Sequence, residues 1–168
     1  MSLPSAIVLL SNGTEEMEAV ICLDILTRAG IKVISCSLDE QTLVTCSRGV
    51  KLVADTYLDD LLSKGGDDLL SKGGALDYNA LVLPGGMEGA RAFASDQRVQ
   101  KLLKEFDEQK KLLAVICASP VALAAGQIGK GKRITSHPCV KDEIKSLYEY
   151  SEERVVLDGH LLTSRGFY

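Results

Sequence analysis

The sequence predicts an α/β protein: a doubly wound, mostly parallel sheet with helices on both faces. Three observations carry that prediction. Short apolar runs recur at 6–10, 79–83 (NALVL, apolar from Ala80) and 112–116. Turn-forming or small residues follow each run, and stretches of helical spacing lie between them. Strands apolar at every position, rather than at every second one, suit a sheet covered on both sides. In such a sheet ligands bind at the carboxyl ends of the strands.

The elements follow in order. AIVLL at 6–10 is a buried strand, closed by Ser11-Asn12-Gly13. Residues 14–29 form a helix, with Thr14 as cap, Glu15 and Glu16 suited to the positive end of the dipole, and Gly30 as stop. A second strand covers 31–38. Residues 42–46 and 50–54 flank Arg48-Gly49 as a hairpin or bent pair. The strand at 79–83 is closed by Pro84-Gly85-Gly86. A helix over 96–109 puts Val99, Leu102, Leu103 and Phe106 on one face. A strand follows at 112–116, then a helix from about Pro120, a short strand at 132–135, and a hairpin over 154–163 around Asp158-Gly159.

Composition narrows the function. The 168 residues are the size of a single domain, 46% are hydrophobic, and the formal net charge is −4. That balance offers no basic patch for nucleic acid and no polybasic membrane anchor. No apolar run approaches the ~20 residues of a membrane helix. The first run lacks a basic n-region and a cleavage pattern, so it reads as a core strand rather than a signal peptide. The five cysteines are odd in number and show no C-x-x-C spacing, which points to free thiols in a reducing, cytoplasmic setting. With two histidines and no ligand spacing, no metal is expected.

DDLLSKGG occurs at 59–66 and again at 67–74. Eight residues are too few for a solenoid unit. The copy reads as a duplicated surface helix-loop, of a kind that loops tolerate.

LLAVICASPVALAAG, from 112, is the most informative segment. Apolar residues make a strand, Ala118 and Ser119 allow a tight turn, and Pro120 suits a first helical turn. Cys117 therefore stands at a strand-to-helix elbow, where free N–H groups and the helix start favour the nucleophilic thiolate. A buried core cysteine is the competing reading. Helical spacing puts Glu18 on one face with Ile21, Cys22 and Ile25. A carboxyl on an apolar stripe has a raised pKa suited to proton transfer; the alternative is a solvated helix-start acid like Glu15 and Glu16. Gly85 and Gly86 offer N–H groups to an oxyanion, together with the Ala118 N–H; a phosphate loop with Gly89, or a plain tight turn, are the rivals. His137, in a loop after a short strand, can approach the thiol, whereas His160 reads as exposed. Cys22 and Cys36 read as core, and Cys46 and Cys139 as near turns with nothing to activate them.

Several motifs in one order, NGTEEMEAV at 12–20, LTRAGIKV at 26–33, CSRGV at 46–50, LPGG at 83–86, AVICASP at 114–120, TSHP at 135–138 and DGHLLTSRG at 158–166, resemble the ThiJ/PfpI superfamily, in its parkinsonism-associated deglycase branch. The resemblance implies a single flavodoxin-like, class I glutamine amidotransferase-like domain over 1–168. It implies a reactive, oxidation-sensitive Cys117, a protonated Glu18 partner, oxyanion-binding Gly85 and Gly86, a nearby His137, and a homodimer whose interface holds Arg28 and Arg48. No cofactor is implied. Protease-like relatives carry histidine directly after the cysteine; Ala118 stands here, against peptidase activity. The family continues past S-R-G into an apolar helix, so the ending Gly166-Phe167-Tyr168 reads as a truncated form, or as one whose gap another copy covers. The expected function is glutathione-independent glyoxalase or deglycase chemistry on methylglyoxal, other small dicarbonyls or glycated protein. The alternative is an oxidative-stress sensor or redox-regulated chaperone without turnover.

Overall fold

A computed structural model describes residues 3–63 and 74–167. Its first strand, β1 (Ser5–Leu10), shows why an unbroken apolar run was needed. Ile7 and Leu9 enter one core cluster, while Val8 and Leu10 enter a second cluster on the opposite face. The helix α1 (Glu16–Arg28) covers that second face and leads to β2 (Lys32–Ser37). The strands β3 (Leu43–Thr45) and β4 (Lys51–Val53) pair as an antiparallel hairpin. Next come β5 (Thr56–Tyr57), α2 (Leu58–Ser63), a 3₁₀ turn at Ala75–Asp77 and β6 (Ala80–Leu83). Two helices, α3 (Met87–Ser95) and α4 (Gln97–Glu108), precede β7 (Leu112–Ile116) and α5 (Pro120–Ala125). After β8 (Arg133–Ile134) come a 3₁₀ turn (Pro138–Val140), α6 (Lys141–Ile144), β9 (Glu149–Tyr150), β10 (Val155–Asp158) and β11 (Leu161–Ser164).

Seven strands form the main sheet in the order β10-β11-β7-β6-β1-β2-β5, and only the β10–β11 pair is antiparallel. The doubly wound prediction is met. Register aligns Ile34, Ile7, Leu81, Leu113 and Leu161 in one row across five strands. Each is at most 2% exposed, and each such side chain contributes on the order of 2 kcal/mol by leaving water. The chain leaves β1 toward β2 on one side and returns to β6 on the other. That reversal places a crevice at the carboxyl ends of β1 and β6, where such sheets bind ligands. Among the described residues no helix is long and apolar enough to cross a membrane.

Several local expectations change. Thr14 does not cap α1: its hydroxyl accepts from the Ser11 N–H at 2.9 Å, and the Glu15 carboxylate caps instead, accepting from the Glu18 N–H at 2.8 Å. The last hairpin turns one residue later than expected, because Asp158 pairs with Leu161 and leaves Gly159-His160 as its two-residue loop. Positive φ at Gly159 alone fits a type II′ turn. His160 is not exposed; its Nε2 lies 2.6 Å from an Asp107 carboxylate oxygen. Helix α3 was not anticipated, since its glycine and alanine content hides the stripe that Ala90 and Phe93 bury. Ile21 and Ile25 are 58% and 57% exposed, so their stripe stays open while α1 meets the core through Ala19, Cys22, Leu23 and Leu26. It borders an apolar groove of ≈ 490 Å³ with Ala114, Ile116 and Leu162 of the sheet. Most of the repeated octapeptide, residues 64–73, lies outside the described residues; Asp59–Ser63 of the first copy belong to α2.

Candidate active site

The elbow after β7 is sharper than spacing alone suggests. Cys117 has φ +61°, in the left-handed region that side chains avoid at a cost of order 1–3 kcal/mol. Three bonds hold it there. Its N–H donates to the Ser164 carbonyl at 2.8 Å, and its carbonyl accepts from the His137 N–H at 2.7 Å. The Ser119 hydroxyl donates to the Pro84 carbonyl at 2.5 Å, tying the elbow to the loop after β6.

Glu18 meets this elbow from the first turn of α1. It is 5% exposed, and its Oε2 accepts from the Gly85 N–H at 2.7 Å. The Gly85 carbonyl in turn accepts from the Glu15 N–H at 2.9 Å. Oε1 is buried and has no partner in hydrogen-bonding geometry among the described residues. Burial raises the Glu18 pKa above the ordinary carboxyl value, and the Gly85 N–H only partly opposes it. The Cys117 side chain and the Phe167 N–H also draw it down, less than burial lifts it, so the neutral acid is favoured. The stripe of Ile21 and Ile25 is not what buries it; the elbow and two glycine loops are.

The sulfur of Cys117 shares this enclosure. Burial and the negative charge of an ionised Glu18 push its thiol up to about 12, against the pull of the Gly86 and Ala118 N–H groups. Of the two influences expected to favour the thiolate, the N–H groups are in place, and burial with an ionised Glu18 outweighs them. Helix α5 begins three residues downstream, and the thiol depends instead on those two N–H groups and on Glu18 being protonated.

Glycine is required around the pair. A Cβ on Gly85 would stand 2.5 Å from Glu18 Oε2 and 3.1 Å from Cys117 Sγ. Gly86 has φ +90°, and a Cβ there would lie 2.6 Å from the Glu15 N. Gly85 spends its N–H on Glu18, so of the three expected oxyanion donors Gly86 and Ala118 face the sulfur. Gly89 belongs to α3 and packs on Thr14, which removes the open phosphate loop. Sequence reading missed Gly166. It follows β11 with φ +85°, and a Cβ there would meet Glu18 Oε1 and lie 3.4 Å from Cys117 Sγ. Its signal was the same as that of Gly85: a glycine just past a strand end.

The other expected residues separate. His137 touches Cys117 through its backbone, while its imidazole Nδ1 lies 2.8 Å from Cys139 Sγ. Glu15 and Glu16 are buried, not solvated. Glu16 accepts from the Ser47 hydroxyl and the Arg48 N–H, each at 2.8 Å. Burial opposes its ionisation, but those bonds outweigh it and hold its pKa below the ordinary value. Arg28 pairs with Asp24 at 2.9 Å on the surface, and the Arg48 guanidinium donates to the Ser47 carbonyl. Cys36 and Cys46 are buried, Cys22 is half-buried, and burial raises all three thiols.

A doubly wound α/β protein with a left-handed cysteine after a central strand, shielded beside a buried carboxyl, defines a class of thiol-bearing α/β proteins. Residues 4–168 match the DJ-1/PfpI family model, and the chain belongs to that family. It is 41% identical over 163 residues to Protein DJ-1alpha of Drosophila melanogaster, covering 96% of this chain and 70% of that protein. It is 30% identical to the glutathione-independent glyoxalase DJR-1.2 of Caenorhabditis elegans, over 96% of this chain and 80% of that one. The crystal structure of Drosophila melanogaster DJ-1beta superposes with a TM-score of 0.88 at 38% identity, covering 98% of this chain and 83% of that chain.

Proposed function

We propose that this chain is a cofactor-independent glyoxalase, converting methylglyoxal and related dicarbonyls to 2-hydroxy acids, and acting on early glycation adducts by the same chemistry. The observation that carries this reading is the enclosure of the Cys117 sulfur with a protonation-prone Glu18 among N–H donors. The sulfur adds to the aldehyde carbon: the thiol proton leaves to water, the sulfur–carbon bond forms, and Glu18 gives its proton to the carbonyl oxygen, leaving a hemithioacetal and a Glu18 carboxylate. Glu18 accepts the proton from the former aldehyde carbon and returns one to the neighbouring carbon through an enediol. The result is a thioester of the 2-hydroxy acid. Water then cleaves the sulfur–acyl bond, releasing the acid and restoring the thiol. Gly86 and Ala118 N–H groups face the developing oxyanion, Gly85 positions Glu18, and His137 positions the elbow through its main chain.

A glyoxalase relative at 30% identity supports the reaction class. Five free thiols fit a reducing compartment, the cytoplasm. A homodimer through the α1 surface, including Arg28 and Arg48, fits the exposure of Met17, Val20, Ile21 and Ile25 on that helix.

The test compares wild type with Cys117→Ser in glutathione-free buffer, following methylglyoxal loss and lactate formation by NMR. Wild type is expected to turn over, and the serine variant to fall to the buffer rate. Equal consumption by both would refute the reading. Addition of two oxygens at Cys117 by mild peroxide, with no turnover in wild type, would favour the sensor role instead.

A further inference from the structure

All five cysteines lie among the described residues, and only Cys139 is exposed. It was expected to have nothing to activate it; the fold supplies a base. The 3₁₀ turn at Pro138–Val140 is capped by His137, whose Nδ1 accepts from the Cys139 N–H at 3.2 Å. A nitrogen that accepts from a backbone N–H carries no proton of its own, so the neutral ring holds its proton on Nε2. The Cys139 sulfur lies 2.8 Å from the same Nδ1. In that contact the thiol is the donor. The backbone bond thus fixes both the tautomer and the direction in which the thiol proton moves.

We propose that Cys139 and His137 form a second thiol site, a surface dyad that reacts with hydroperoxides independently of Cys117. The thiol proton passes to Nδ1. The sulfur lone pair attacks one peroxide oxygen and the O–O bond breaks. The departing oxygen takes the imidazolium proton, so for hydrogen peroxide one water is released. Sulfur is oxidised by two electrons to the sulfenic acid, and the peroxide is reduced by two. Burial raises the resting thiol, and its own N–H and Arg91 only partly offset burial and Glu143. The adjoining imidazole, 2.8 Å from the sulfur, supplies a base for its proton. Arg91 is itself paired with Glu143 at 2.5 and 2.7 Å, so its charge is not free for an anionic reagent. A small uncharged oxidant fits such a surface.

The test treats the full chain with hydrogen peroxide, traps sulfenic acid with dimedone and reads the peptides by mass spectrometry. Cys139 is expected to be labelled at the same rate in wild type and in Cys117→Ser. His137→Asn keeps an oxygen to accept from the Cys139 N–H but removes the base, and should slow labelling at Cys139 at least tenfold. Wild type unfolded in urea serves as a second comparison, with the same expected slowing. Labelling at Cys139 that is absent, or as fast in urea or in His137→Asn as in the native protein, overturns the proposal. Neither result depends on methylglyoxal turnover, so this site and the Cys117 reading fail separately.

Discussion

Gly85 and Glu18 hold each other from both sides: the Gly85 N–H binds the Glu18 carboxyl at 2.7 Å, and the Gly85 carbonyl binds the Glu15 N–H that starts the same helix. The loop after β6 thereby sets which oxygen of Glu18 remains available to the thiol.

The first prediction follows from that bond. Gly85→Ala drives a methyl group against Glu18 Oε2 and the Cys117 sulfur. Such overpacking costs about 1–3 kcal/mol. Urea unfolding should show that loss, and methylglyoxal turnover should drop about tenfold or more. A variant with wild-type turnover would show that Glu18 need not sit where it does.

Glu18→Gln keeps the shape of the side chain but cannot exchange a proton. Turnover should fall about 100-fold or more, in the range of general acid–base contributions. The pH dependence of stability gives a second reading. Burial raises the folded-state pKa of Glu18 above its ordinary 4.5. Its stabilising contribution is therefore complete below the unfolded value and is lost as pH rises through the folded value. The glutamine variant does not titrate there. Between pH 4 and pH 8 it should gain stability relative to wild type in urea titrations, and parallel curves would count against a buried acid.

Cys117 tolerates its left-handed backbone only because its neighbours clamp it. Cys117→Ala should stay within about 1 kcal/mol of wild type in unfolding free energy while losing all turnover. Cys117→Val places a branched β-carbon at φ +61° and should cost about 2 kcal/mol more. Equal stabilities for the two would argue that the backbone relaxes at this position.

Ser119→Ala removes the bond to the Pro84 carbonyl, which is buried at the joint between two loops. The expected cost is about 1–2 kcal/mol. The slower and more variable approach of the two loops should lower kcat more than it raises KM. Steady-state kinetics with methylglyoxal separate the two effects.

Much of the scaffold was legible because its signals are local. The runs at 6–10, 79–83 and 112–116 read directly as strands, and the spacing of Val99, Leu102, Leu103 and Phe106 read as one buried helix face. Cys117 at an elbow and Glu18 near it were also readable, one from strand-then-proline order and the other from position near a helix start. The losses came where distant segments decide. Glu15 and Glu16 are acids whose burial depends on Gly85, Ser47 and Arg48, none of which a helical pattern displays. Gly166 gains its role from a strand that docks beside β7. His137 was expected to turn toward Cys117; a two-residue turn aims its ring at Cys139 instead.

The arrangement of β11 has a consequence for how the protein comes into being. Its register beside β7 brings Gly166 against residues from the opening turn of α1, so the sulfur's enclosure closes only when sequence from both extremes has met. Contacts of such long range form late and slowly. During synthesis on the ribosome, Cys117 therefore emerges before its shelter is complete. A nascent chain paused ahead of β11 would present a naked thiol in place of an enclosed one.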